Sequence, residues 1–569
     1  MRTTAGVRTS APRLVVAALA LLAVVALRWP DVLRAPFVND DFLFLDRTRA
    51  ASLPSLWGFD GLAFHWWRPW SRETHYWAVQ GLAGANPAVF HAVNAALWLA
   101  VVALFWAFVR RIAGGRAAAW AAAACASLAA WSLPLLWVAG VQDLWMLVWS
   151  LAALLAWSAD RRALALGGYA MALLSKETAA LLPAVLLAHD VLLARRPWRE
   201  AIARALPFAV VALAWGALHP RLGGQLWRPV TLEHVDDPTR LSPPVAFARG
   251  LLVALNLDRV PVPMPDWGAI AFPALALAGA LLVLAGALRP ENEAPAPHPR
   301  AAVTRFALAW AAVGVAPLLL PGLGFHAYYA SFAALGVLLA LGAWAGGNAA
   351  VAGVTLALLA VLGTARDRTP SLDWGDAMYQ RRAAALNAAM RDDLLRKLPE
   401  PGAHARIFFV RVPDRIGLVQ GDAPALRVWY GDSTLRGGFY SAYRPRAAGE
   451  PRGADYFFRH DSLAGWVRVH AGEENLEAEL ALNPRWVTDH RSLAAAFVAA
   501  GDYAAAATEH EKIAGVLAAS SDAAFDAAAS WAAAGDTRRA MQWASEAARR
   551  PDARPEVVQA AREAGLLPR

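Results

Sequence analysis

Two adjacent carboxylates, Asp40 and Asp41, stand in the run FVNDDFLFLD, framed by Phe37, Val38, Phe42 and Leu43. Paired acids in an apolar frame are costly to ionise, because low dielectric and mutual repulsion favour the protonated form. The same two effects lift one pKa toward the working range of a general base. The plain alternative is a helix cap or a solvated turn. Further along, Arg68 precedes Pro69. A guanidinium on a fixed backbone can clamp a phosphate with two parallel hydrogen bonds, and an arginine among lipid headgroups is the competing explanation. Trp66, Trp67, Trp70 and Trp77 in the same stretch suit either an interfacial belt or stacking on a sugar ring.

A second group lies in LLSKETAALLP, where Lys176 and Glu177 are flanked on both sides by apolar residues. An ionisable pair in such a setting is a functional candidate by default. Lys176 is a point charge suited to phosphate, and the two residues can also pair with each other. A third group is His326, Tyr328 and Tyr329 in PGLGFHAYYASFAALG. His219, Glu233, His234, Asp236 and Asp237 fall in one connecting stretch, without the spacing of a metal site. There is no phosphate-binding glycine loop and no nucleophile elbow, which argues against a soluble nucleotide-sugar fold.

The elements that must position these residues are membrane helices. Of the 569 residues, 58% are hydrophobic and 17% charged, too little charge to cover a soluble surface. Apolar runs long enough to cross a bilayer recur at about 12–28, 88–109, 117–138, 143–159, 202–219, 268–288, 304–320, 326–345 and 348–365. The stretch 163–194 carries arginine pairs at both ends, which places both ends on the cytoplasmic side. It therefore reads as two short helices with Ser175, Lys176, Glu177 and Thr178 at the outer tip, giving about eleven crossings. The first run lacks a small-x-small cleavage site before RWPDVLRAP and reads as an uncleaved span. Residues 1–365 hold 27 Lys+Arg and 18 Asp+Glu, and residues 366–569 hold 27 of each. The basic excess thus orients the membrane part and supplies no nucleic-acid-binding face. Arginine placement puts the N-terminus inside and puts the loops 29–87 and 220–267, and everything after 365, outside. The single cysteine, Cys125, excludes a disulfide within one chain.

Residues 366–470 mix a helix near 374–397 with strand-like runs such as ARIFFVRV, predicting a small soluble α/β module. Residues 471–569 are alanine-rich and helical. Gly501-Asp502 and Gly535-Asp536, Phe497 and Trp531, and Ala506 and Ala540 each repeat at 34 residues, bracketed by Asn483-Pro484 and Pro551. That period, with glycine between two helices and small residues at their crossing, is the tetratricopeptide signature, and a plain helical bundle is its rival.

Taken in order, FVNDD, RPW, GLAGANPAVFHAVNAALW, LLSKETAALLP and HAYYASFAALG, followed by such repeats, resemble the tetratricopeptide-containing membrane O-mannosyltransferases of the GT-C superfamily. The resemblance runs through the membrane part and the repeats and leaves 366–470 unmatched. It implies a polytopic helical enzyme that uses a polyprenyl-phosphate sugar on the outer face, with inversion. The family's acidic pair matches Asp40 and Asp41, one of them the catalytic base. Its Arg-Pro matches Arg68 and Pro69, and its Ser-Lys-Glu tip matches Ser175, Lys176 and Glu177. Where the family places a charged residue ahead of its Tyr, this chain has His326, so His326 and Tyr328 would supply those contacts. Trp67 joins Arg68, Lys176, Glu177, His326 and Tyr328 as a candidate substrate or phosphate contact.

The expected function is transfer of a sugar to a hydroxyl acceptor, a protein Ser/Thr or a surface glycan, with Asp40 as base and Asp41 its partner, or the reverse. The lipid-linked sugar is a substrate, no cofactor is implied, and no metal-ligand set stands out. The expected partners are the donor, the acceptor, the bilayer and a protein docked on the repeats. The alanine, arginine and tryptophan bias points to a bacterial inner membrane with the tail in the periplasm. Two rivals make different demands. A flippase for lipid-linked sugars needs charges at mid-membrane along a path open to both sides. A scaffold that only presents the repeats tolerates replacement of Asp40 and Asp41.

Overall fold

The computed structural model describes residues 11–220, 241–259, 266–291, 295–319, 324–369, 375–410, 412, 423–439, 449–469, 486–517 and 519–568. Glu233, His234, Asp236, Asp237 and Asn483-Pro484 lie outside the described residues. By internal contacts the chain divides into Met1–Leu386 and Asn387–Arg569.

The first unit is helical. Its helices are α1 (Ala11–Arg28), α2 (Asp40–Arg49), α3 (Leu53–Leu56), α4 (His75–Ala83), α5 (Pro87–Ala113), α6 (Gly115–Ala126), α7 (Ser132–Leu136) and α8 (Val141–Ser158). Then come α9 (Arg162–Leu173), α10 (Leu182–Leu192), α11 (Trp198–Leu218), α12 (Pro243–Leu252), α13 (Trp267–Leu288), α14 (Arg300–Val315), α15 (Ser331–Ala345) and α16 (Ala349–Arg368). Helix α17 (Ala377–Lys397) begins in this unit. Eight of the described helices are long and apolar enough to cross a membrane, nine if the bent pair around α6 and α7 counts as one span. The protein is a multi-pass membrane protein. Helices α9 and α10 are the two short helices expected on either side of the Ser175–Thr178 tip, and the count of eleven is reached when each of them crosses.

Local signals explain the boundaries. Asn86 accepts a hydrogen bond from Ala88 N ahead of Pro87, and Gly114 at φ +91° ends α5 after Arg110 and Arg111. Close packing rests on small residues. A Cβ on Gly336 of α15 would lie 2.7 Å from Ala311 N of α14, and one on Gly342 would lie 2.8 Å from Ala117 O of α6.

The arginine-flanked loops meet one another. Arg204 donates to Asp190 Oδ2 at 2.6 Å and to Asp160 Oδ1 at 2.7 Å, and Arg111 donates to Ser158 O at 2.9 Å. The loops assigned to the outer face meet separately. Ser71 Oγ donates to Ser175 O at 2.6 Å, Trp70 N to Leu174 O at 3.2 Å and Trp67 N to His219 Nε2 at 3.2 Å.

The second unit holds a four-stranded sheet of order β2-β1-β3-β4, with β1 (Arg406–Val410), β2 (Arg436–Phe439), β3 (Asp455–Asp461) and β4 (Gly465–Val469). Strand β1 runs parallel to β2 and β3, and β3 and β4 form an antiparallel hairpin. Helices Trp486–Ala499 and Tyr503–Val516, then Ser521–Ala533 and Thr537–Arg549, follow. Gly501 at φ +77° and Gly535 at φ +82° turn the chain within each pair. Asp502 and Asp536 cap the helices that follow by accepting from Ala505 N and Arg539 N. Ala506 and Ala540, 34 residues apart in the sequence, are both fully buried. Val410 of β1 shares a core with Ile513, Ala514, Ala523 and Ala527.

Candidate functional site

The acidic pair opens α2. Asn39, just before it, takes φ 50°, ψ −121°, a strained backbone for a residue with a side chain, and its buried Oδ1 has no partner among the described residues. The two acids have different surroundings. Asp41 is fully buried and its carboxylate accepts three hydrogen bonds: from Val38 N at 2.9 Å, Tyr76 Oη at 2.9 Å and Ala139 N at 2.8 Å. Asp40 is half-exposed.

Burial pushes the Asp41 carboxyl up to about 7, against the downward pull of its three donors, and the Asp40 charge adds to the rise. The folded protein therefore holds this proton more tightly than the unfolded chain, whose carboxyl has the ordinary value of 3.8. The resulting stability is complete below about pH 4 and is lost as pH rises through about 7. The melting temperature in detergent is expected to fall between about pH 5 and pH 8, and Asp41→Asn to flatten that slope. A wild-type melting temperature that rises over this range would contradict the assignment.

After α2 the loop is held by a buried cluster. Arg72 donates from Nε to Glu73 Oε1 at 2.7 Å and from its Nη atoms to Trp66 O at 2.5 Å and Ala63 O at 3.3 Å, with its guanidinium over the Phe44 ring. Both side chains sit in a π-helical turn, Pro69–Thr74. Such turns are rare and recur at functional sites. This turn follows Arg68 directly.

Two ion pairs stand at the core of the site. Arg68 presents a fork to Glu177, with Nε at 2.9 and 3.0 Å and Nη2 at 2.6 Å, and Nη1 donates to Gln142 Oε1 at 2.5 Å. The Trp66 ring lies beneath this guanidinium at 4.8 Å, and His219 Nε2 lies 3.3 Å from Glu177. Lys176 Nζ donates to both oxygens of Asp143 at 2.7 Å and sits 4.9 Å and 4.8 Å from the Tyr328 and Tyr329 ring centres. Lys176 and Glu177 therefore do not pair with each other, as the sequence allowed. Lys176 is in extended backbone, φ −164°, ψ 148°, so neighbouring side chains point to opposite sides. His326 stacks on Tyr328 at 5.9 Å, which continues the aromatic wall.

The structure thus brings Arg68, Lys176, Glu177, His326 and Tyr328 into one cluster. Asp41 is tied to it through Ala139, three residues before Gln142. Trp67 faces elsewhere: its indole N–H donates to Trp57 O at 3.1 Å and its ring packs on Phe59. Trp66 occupies the position beside Arg68. Sequence reasoning missed Gln142 and Asp143. The signal was present, since GVQDLWML places a carboxylate and an amide at the head of an apolar span. Among the described residues no group of three or more His, Cys, Asp or Glu side chains is placed to hold a metal ion.

Long apolar helices and a cluster of charged and aromatic residues drawn together from several connecting segments define a multi-pass membrane protein. No family model and no curated protein matches the chain. Two solved structures overlap with it. One is the crystal structure of ArnT from Cupriavidus metallidurans bound to undecaprenyl phosphate, 14% identical, with a TM-score of 0.42 over 74% of this chain and 85% of that one. The other is the apo state of the same protein, 15% identical, with a TM-score of 0.33 over 74% of this chain and 84% of that one. Overlaps this loose assign no function.

Proposed function

We propose that the protein is a GT-C-like glycosyltransferase that moves a sugar from a polyprenyl-phosphate donor to a hydroxyl acceptor on the outer face of the membrane. The observation that carries this reading is the convergence of Arg68, Lys176, Asp143, Glu177 and the Tyr328–Tyr329 wall beside the acidic start of α2. Asp40 takes the proton from the acceptor O–H, and that oxygen attacks the anomeric carbon. The bond from the anomeric carbon to the phosphate oxygen breaks, its electron pair leaves with the polyprenyl phosphate, and the anomeric centre inverts. Asp41 is enclosed and its oxygens are committed to three donors, which favours Asp40 as the base and gives Asp41 the task of fixing α2. Beyond its bonds to Glu177 and Gln142, the Arg68 guanidinium has two further N–H groups, one on each Nη. These, with the Lys176 ammonium, would bind the departing phosphate. Each cation is already paired with a carboxylate, which offsets part of the cost of burying it.

The paired helices of the tail are read as tetratricopeptide-like repeats that dock an acceptor or partner protein. The membrane is read as a bacterial inner membrane with this tail in the periplasm.

The test is donor binding by purified protein. Arg68→Ala, together with Arg68→Ala/Glu177→Gln to remove the orphaned carboxylate, should weaken polyprenyl-phosphate binding about 10–100-fold. Arg68→Lys should not restore it, because an ammonium lacks the planar fork. Wild-type affinity in both alanine variants would remove Arg68 from the donor site.

A further inference from the structure

A cavity of 280 Å³ opens where α1, α13, α16 and the start of α17 meet, and none of the site residues above lines it. Its lining is half polar, with Arg28, Asp31, Asp367, Arg368 and Arg381, and half apolar, with Leu27, Pro273 and Leu277. The polar floor is rigid. Arg28 donates to Asp367 Oδ2 from Nε at 2.9 Å and from Nη2 at 2.6 Å, and Ser132 Oγ donates to Asp367 Oδ1 at 2.8 Å. Arg381 pairs with Asp31 at 2.9 Å.

Two arginines are thus balanced by two aspartates, and Arg368 leaves a surplus positive charge. Its place follows from the sequence. Pro273 has no N–H, so the carbonyl of Ala269, four residues earlier, lacks its helix donor. Arg368 Nη1 donates to that oxygen at 2.6 Å, which sets the exposed guanidinium at the cavity lip. On either side of Pro273, Phe272 and Leu275 are 78% and 72% exposed on a helix long enough to cross the membrane. One rim of the cavity is therefore continuous with the lipid-facing surface. Its position at the C-terminal end of α1 is the end that the arginine pattern puts outside.

A ligand with one negative charge and an apolar body fits a rigid pocket of this composition. We propose that the cavity binds the phosphate group of an anionic phospholipid, with the acyl chains lying along the exposed face of α13. The shared chemistry with a free phosphate ion is separated by experiment.

The full-length protein, delipidated in detergent, is examined by native mass spectrometry with phosphatidylglycerol, phosphatidylcholine or inorganic phosphate. The expected result is preferential retention of phosphatidylglycerol over phosphatidylcholine, undisturbed by millimolar phosphate. Arg368→Gln should weaken phosphatidylglycerol binding about fivefold, the loss of one basic contact, and leave the melting temperature unchanged. Pro273→Ala returns an N–H to Ala269 O and releases Arg368, so it should shift binding in the same direction. Arg305→Gln, an exposed arginine on α14, should change nothing. Competition by inorganic phosphate would overturn the lipid assignment and leave the free ion as ligand. Equal retention of the two lipids by wild type, or wild-type binding in Arg368→Gln, would overturn the site.

Discussion

Replacing Asp40 by asparagine is expected to lower turnover by orders of magnitude while leaving the protein folded. Loss of a general base costs roughly 10²–10⁴ in rate. Asp40 is half-exposed, so Asp40→Asn should leave the melting temperature and donor affinity near wild type and lower kcat alone. Asp41→Asn should behave differently. It swaps a buried acceptor of three hydrogen bonds for a group whose amide faces N–H and O–H donors, so stability falls first and activity falls through displacement of α2. Kinetics with a defined lipid-linked sugar, read beside thermal melts, separate the two. Full activity in Asp40→Asn would show that the base is another group.

The second large effect concerns the buried pair Lys176–Asp143. Asp143→Asn or Lys176→Met alone leaves an uncompensated buried charge, and each is expected to cost about 3–5 kcal/mol of stability. The double variant Asp143→Leu/Lys176→Met removes both charges and should regain most of that loss. Activity should stay absent in both variants that lack Lys176, because the ammonium facing the Tyr328–Tyr329 wall is gone. A double variant that recovers stability and turnover together would make this pair structural only.

Much of this arrangement was legible in the sequence. Arginine placement sorted the loops into two sets, within each of which the structure shows contacts, and the two short helices around Ser175–Thr178 followed from arginine pairs at both ends of one apolar stretch. Asp40, Asp41, Arg68, Lys176, Glu177, His326 and Tyr328 were all visible as polar residues in apolar settings. Their pairing was not. Lys176 meets Asp143, 33 positions away, and Arg68 meets Glu177, 109 positions away, and no local period encodes such distances. Asp143 itself was passed over because it stood at the edge of an apolar run and was counted with the span. The π-helical turn at Pro69–Thr74 has no sequence pattern to announce it. The differing burial of Asp40 and Asp41 depends on Tyr76 and Ala139, which reach Asp41 from other elements.

Mass spectrometry of glycans on secreted and envelope proteins tests the central claim most directly. The strains are a deletion, the deletion with wild-type protein restored, and the deletion with Asp40→Asn at matched membrane levels. The expected result is a hexose-type mass that appears with the wild-type protein alone, on the molecule that is the acceptor. The same modification restored by Asp40→Asn would contradict it, and identical glycans in all three strains would exclude a protein acceptor.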